Sequence, residues 1–223
     1  MASIAYRHLT APAVEPVTLD QAKSQLNVDS AFTDDDVLIT SYIVAARQYC
    51  EELMQRAIYE RSMQFTCDHF PYTECSTTIN PVDRQLYDRY WHQVAIELPF
   101  PNCVSVESIT YLDANANVQT VDDSTYFVDV DSEPARIVPK TDPYWPYWSY
   151  LPGSIKVTYT AGSYGDGSTT DTCPQPIKQA ILLLVSYWYN HRDAAEGNPP
   201  KEIPFAVEAL LGAYKFHSFG LVR

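Results

Sequence analysis

Positive charge is scarce in this sequence. Lysine and arginine number 15 against 28 aspartates and glutamates, which gives a formal net charge of −13 and a pI near 4.6. Proteins that wrap nucleic acid do so by neutralising phosphates with Lys and Arg and releasing their counterions, so this balance argues against such a role. Long apolar runs are also missing: the nearest, AILLLVSYWY (Ala180 to Tyr189), is far shorter than the roughly 18 to 20 residues that span a bilayer. The opening MASIAYRHLTAP lacks the basic-then-apolar layout of a signal peptide, so synthesis in a cytoplasm is expected. The cysteines, Cys50, Cys67, Cys75, Cys103 and Cys173, are odd in number and include no C-x-x-C pair. Reduced thiols follow, and a Cys67–Cys75 bridge is disfavoured in a reducing compartment.

The motifs of common chemistries are absent as well. There is no G-x-S-x-G, P-loop, dinucleotide-binding glycine pattern or H-E-x-x-H. The glycines of GSYGDG (Gly162 to Gly167) are followed by neither Lys-Ser/Thr nor a helix, which leaves phosphate cradling unsupported. Cys67, His69 and Cys75 form the one Cys/His cluster, but a fourth zinc ligand is missing and the spacing fits no common finger. Asp34, Asp35 and Asp36 lack the register of a calcium loop and are expected to serve the first turn of a helix. Nothing singles out a catalytic carboxylate pair among the acids. The expectation is a protein without catalytic, cofactor-binding or metal-ligating residues.

What is present is a clear alternation of periods. Thr18 and Gln21 form a capping box that opens a short helix over about Leu19 to Leu26. A second helix is predicted from Thr33 to about Ala57, with Leu38, Tyr42, Ala45, Tyr49, Leu53 and Ala57 on its apolar stripe. From Ile58 the period falls to 2, and RSMQFTCDHF, VAIELPF, VSVESITYLD, TYFVDV, ARIVP and SIKVTYTA read as strands, with a hairpin turn at Asp113 to Asn117. After the polar run Ala161 to Thr172, Pro174 and Pro176 open a helix with Ile177, Ile181, Leu184, Val185 and Trp188 on one face. A last helix starts at Pro204, with Phe205, Leu210, Leu211 and Tyr214 as candidate core. The fold class is therefore α+β: a helical core from the two ends (15–58 and 174–215), an inserted section of antiparallel strands (59–173), and terminal arms (1–14 and 216–223).

The aromatics are the unusual feature. DPYWPYWSYLPG (Asp142 to Gly153) sets Tyr144, Trp145, Tyr147, Trp148 and Tyr150 among prolines, and Tyr87, Tyr90 and Trp91 form a second group. Three roles compete: packing over the sheet, stacking of sugars or bases, and anchoring a protein interface.

Several segments, taken in order, resemble the head-tail connector, or adaptor, proteins of tailed bacteriophages. They are EPVTLDQAKSQLNVDSAFTDDDVLITSYIVAARQYCEELMQRAI (Glu15 to Ile58), IELPFPNCVSVESITYLDANANVQTV, YFVD, RIVP, GSIKVTYTAG, PQPIKQAILLLVSYWYNHRDA and IPFAVEALLGAY. The resemblance implies a structural virion protein at the head-tail interface, not an enzyme, made in the host cytoplasm. It implies a homo-oligomeric ring, a dodecamer, beneath the portal protein; a docking surface for the tail or a stopper or nozzle protein; and DNA passing through the lumen without specific binding. Pro71 to Gln93 and YWPYWSYLP depart from the family's usual pattern. Under this resemblance the eight aromatics become interface anchors, and Lys215, Phe216, His217, Phe219, Leu221 and Arg223 become the portal-docking tail. The reading from another class is a carbohydrate-binding or receptor-recognition module with the aromatic loops as sugar platforms.

Overall fold

The computed structural model describes residues 4–71, 95–140, 145–191 and 205–216. It is α+β, with helices and antiparallel sheets gathered into two compact units, one drawn from Met1–Ala11 and Arg61–Ala161, the other from Pro12–Glu60 and Gly162–Arg223.

In the helical unit, α1 (Leu19–Leu26) starts from the predicted capping box, in which Thr18 Oγ1 accepts from Gln21 N–H and Gln21 Oε1 accepts from Thr18 N–H. Helix α2 (Asp36–Met54) differs from expectation at both ends. Its N-cap is Asp35, which makes no side-chain cap; that carboxylate accepts from the Tyr189 hydroxyl at 2.5 Å. Asp36 pairs with Lys23, a lysine only 3% exposed whose ammonium also donates to the carbonyls of Ser30 and Phe32. Two of the acidic triplet thus make specific contacts, Asp36 within the α1–α2 connection and Asp35 to Tyr189 in the helix Gln175–Asn190, beyond any effect on the helix dipole.

At the other end the helix stops before Ala57. Gln55 turns left-handed (φ 55°), and the Glu51 carboxylate accepts from Ile58 N–H, drawing the chain off the helix axis. The fully buried stripe of α2 is Ile39, Ile43, Ala46, Cys50 and Met54, one residue on from the predicted stripe, whose Tyr42, Tyr49 and Leu53 are half-buried against it. Arg47 is buried on the same helix, 1% exposed, and its guanidinium donates to Glu15 and Glu51, each at 2.7 Å.

Helix α3 (Gln175–Asn190) follows N-cap Pro174 and buries Ile177, Ala180, Ile181, Leu184 and Val185. Helix α4 (Phe205–Leu211) runs into a 3-10 turn at Gly212–Tyr214. Phe205, expected in the core, is 84% exposed because it precedes the buried pair Val207 and Leu211 on the opposite side of the turn.

The second unit holds a five-stranded sheet in the order β1-β2-β8-β4-β5, comprising β1 (Ile4–His8), β2 (Arg61–Cys67), β4 (Cys103–Leu112), β5 (Val118–Thr120) and β8 (Ile155–Ala161). All neighbours are antiparallel. Residues 4–8, expected within a terminal arm, are an edge strand. Strict alternation in β2 and β8 puts Met63, Phe65 and Cys67 opposite Tyr159, Val157 and Ile155 on one buried face. The hairpin expected at Asp113 to Asn117 joins β4 to β5, with Ala116 left-handed at the turn. A three-stranded sheet, β3-β7-β6, joins β3 (Ile96–Glu97), β7 (Arg136–Pro139) and β6 (Tyr126–Asp129) around Ile137.

Cys50, Cys67, Cys103 and Cys173 are all buried free thiols. Burial pushes Cys103 up to about 11 and the other three up to about 12, so they are poor nucleophiles. Cys75 lies outside the described residues, among which no group of His, Cys, Asp and Glu is placed to hold a metal.

Arg47→Met should cost about 3–5 kcal/mol in urea unfolding, because it strands the buried Glu51 carboxylate. A loss below 1 kcal/mol would mean that the ion pair does not organise the helical unit.

Candidate functional site

Two candidate surfaces carry the residues singled out in the sequence, one on each unit. The first is the proline-flanked aromatic segment, described from Trp145 onward. Phe70, just past β2 and fully buried, is its foundation. Trp145 stacks on Phe70 with centroids 4.8 Å apart and planes 7° from parallel, Trp148 meets the same ring edge-on at 5.4 Å, and Tyr111 of β4 approaches it at 6.1 Å. Such offset and edge contacts place the positive rim of one ring on the negative face of another.

The backbone is held in its middle and at its exit into β8. Ser149 N–H donates to the Leu112 carbonyl at 2.7 Å, Gly153 N–H donates to Asp68 Oδ1 at 2.7 Å, and Ser154 Oγ donates to the Asp68 carbonyl. Gly153 is left-handed (φ 65°), the conformation that lets the chain turn from the segment into β8. Pro146 and Pro152 each have their own φ fixed by the pyrrolidine ring.

The segment therefore has two faces. Trp145 is 8% exposed, and the indole Nε1 of Trp148 is buried without an acceptor among the described residues. Tyr147, Tyr150 and Leu151 are 70%, 77% and 45% exposed. Their display follows from the inward anchoring of the tryptophans. Tyr147 and Tyr150 stand nearly perpendicular, at 85°, with centroids 6.5 Å apart. The two rings therefore do not combine into one flat platform. Phe70, Asp68, Tyr111 and Gly153 were not singled out from the sequence; the only local signal was Phe70 preceding Pro71 at the end of a strand. Tyr144, Tyr87, Tyr90 and Trp91 lie outside the described residues.

The second surface is the start of the C-terminal segment. Lys215 is exposed, whereas Phe216 turns back: its N–H donates to the Met54 carbonyl at 2.8 Å, and the Arg56 guanidinium lies 5.9 Å from its ring centroid. His217, Phe219, Leu221 and Arg223 lie outside the described residues. A separate polar cleft of about 440 Å³ between α1 and α3 is lined by Gln21, Gln25, Gln175 and Gln179 with Lys178. That lysine is already committed to Asp171 at 2.7 Å. Asp171 also accepts from the Tyr59 hydroxyl, and these bonds, with Lys178 foremost, hold its carboxyl below the usual carboxylate range.

The chain is similar to known proteins in sequence over part of its length and in fold over nearly all of it. Residues 16–78 match the model of the phage gp6-like head-tail connector protein family. That span overlaps the segment Glu15 to Ile58, whose sequence resembles the head-tail connectors. The fold is similar to a chain in the neck of an empty GTA particle computed with C6 symmetry, at TM-score 0.70 and 19% identity over 98% of this chain and 99% of that one. It is also similar to a chain in the neck of a native GTA particle computed with C12 symmetry, at TM-score 0.67 and 17% identity with the same coverage. A third likeness is to a chain in the virion of the native gene transfer agent particle, at TM-score 0.66 and 18% identity over 94% of each chain. No curated protein matches the sequence.

Phe70→Ala or Trp145→Ala should destabilise the strand-bearing unit by about 3–5 kcal/mol, the range for deleting a packed aromatic side chain. Tyr147→Ala and Tyr150→Ala should each stay within about 0.5 kcal/mol. Thermal unfolding of the four variants distinguishes the two faces; equal losses would refute them.

Proposed function

We propose that the protein is a structural head-tail connector of a phage-like particle. It assembles as a homo-oligomeric ring, twelve-fold to match the portal, beneath the portal protein, and it presents the surface on which the tail or a stopper protein docks. The observation that carries the reading is the whole-chain likeness in fold to chains from particle necks, together with the connector signature in residues 16–78. The work asked of such a protein is binding, and its reacting parts are surfaces and not a catalytic centre.

In this reading Tyr147, Tyr150 and Leu151 form an interface anchor. Aromatic side chains already ordered before binding lose little conformational entropy when a partner covers them, and Tyr is enriched among the residues that dominate interface energy. Tyr144, Tyr87, Tyr90 and Trp91 belong to the same proposed surface set. The tail from Lys215 through Phe216, His217, Phe219, Leu221 and Arg223 engages the portal. The excess of acidic residues suits a ring through which DNA must slide, because a lumen lined by carboxylates would not retain phosphates.

The combined Tyr147→Ser and Tyr150→Ser variant should still fold and join heads, yet accumulate tailless particles by negative-stain microscopy. Removal of residues 215–223 should instead abolish portal binding in pull-down. Normal tailed particles from the first variant, or intact portal binding by the second, would reject the corresponding surface.

A further inference from the structure

We propose that a small apolar cleft on the helical unit is the binding site of this chain's own C-terminal peptide, His217 to Arg223. The cleft holds about 270 Å³ and is lined by Leu53 at the end of α2, Glu208 and Leu211 of α4, then Gly212 and Lys215. That is below the roughly 300–1,000 Å³ typical of small-molecule sites and suits one or two side chains. Leu211, 1% exposed, supplies an apolar wall, while the carboxylate of exposed Glu208 marks the rim. A Cβ placed on Gly212 would meet nothing within 4 Å. The space above that residue is open, and a side chain from elsewhere can enter it.

The path of the chain selects the occupant. Lys215 itself lines the cleft, and the next residue, Phe216, is tied by its N–H to the carbonyl of Met54, the neighbour of Leu53. The remaining residues, HSFGLVR, therefore leave from the cleft's own edge, and an extended stretch of that length reaches roughly 23 Å, more than enough to cross it. Their chemistry matches: Phe219, Leu221 and Val222 are apolar, Gly220 permits a turn, and Arg223 can answer Glu208. Tethering places the peptide at an effective concentration of about millimolar, so a weak contact suffices. Helix α4, with only 7 residues, is too short to be stable without packing partners, and the peptide would cover it.

The biological meaning rests on the connector reading, in which these same residues engage the portal. A free subunit would hold its docking segment against itself, and the portal would have to compete for it.

Hydrogen exchange read by mass spectrometry on the full-length protein in dilute solution tests the site without any portal. Amides of residues 218–223 should exchange about tenfold slower than in the synthetic peptide HSFGLVR. The cleft-filling Gly212→Trp variant should restore the free-peptide rate, as should the paired Phe219→Ser and Leu221→Ser variant, with exchange in α2 and α3 unchanged as the control for folding. Free-peptide exchange in the wild type would overturn the proposal. So would protection that rises with protein concentration, since that would assign the cleft to another copy's tail. Portal binding, measured separately, reports on the connector reading alone.

Discussion

The helical unit depends on one charge placed where charge is expensive. Arg47 sits in the middle of α2 at 1% exposure, and its guanidinium meets Glu15 and Glu51. The second oxygen of Glu51 accepts from Ile58 N–H. A buried guanidinium is tolerable only when its donors are met, so Arg47 imposes a geometry on everything that meets it. Glu15 lies where the chain approaches α1, and Ile58 lies just past the end of α2. Through this one side chain the approach, the helix and the exit are held in a single arrangement, while Ile39, Ile43, Ala46 and Cys50 join the buried cluster with Ile177, Ile181 and Leu184 of α3. Lys23 repeats the device on a smaller scale, holding the α1–α2 connection through Ser30, Phe32 and Asp36.

These two cations mark the boundary of what could be read from residues alone. The capping box, the proline start and the switch from a period near 3.6 to 2 are local signals, and they pointed to α1, α3, the β4–β5 hairpin and the strands of the main sheet apart from β1, whose residues 4–8 were expected in a terminal arm. The depth of Arg47 and Lys23 was not legible, because an Arg or Lys in a helix reads as a solvated face until its partners are known. The same blindness displaced the stripe of α2 by one position and ran the helix past Met54, since Glu51 and its bond to Ile58 N–H act across the turn. Phe205 was misassigned for a related reason: in a short helix, apolar character alone cannot say which side faces in.

The aromatic segment shows a comparable limit. Composition left packing and interface roles open as alternatives, whereas the structure divides the labour within one segment. Trp145 and Trp148 are spent on Phe70, and this leaves Tyr147 and Tyr150 outside on a backbone pinned by Asp68, Leu112 and two prolines. A long-range partner such as Phe70 leaves no periodic trace in the sequence. If Tyr147 and Tyr150 serve as the proposed interface anchor, the cost of ordering them is met during folding, through contacts that a docking partner need not supply.

The central proposal is that this chain is a ring-forming connector whose docking elements lie on two compact units. Native mass spectrometry of the full-length protein, alone and with the portal protein of the same particle, tests it most directly. The account predicts a chain that loads onto the portal oligomer as a complete layer, with one connector copy per portal subunit. A chain that shows no association with the portal at any salt or protein concentration would contradict it.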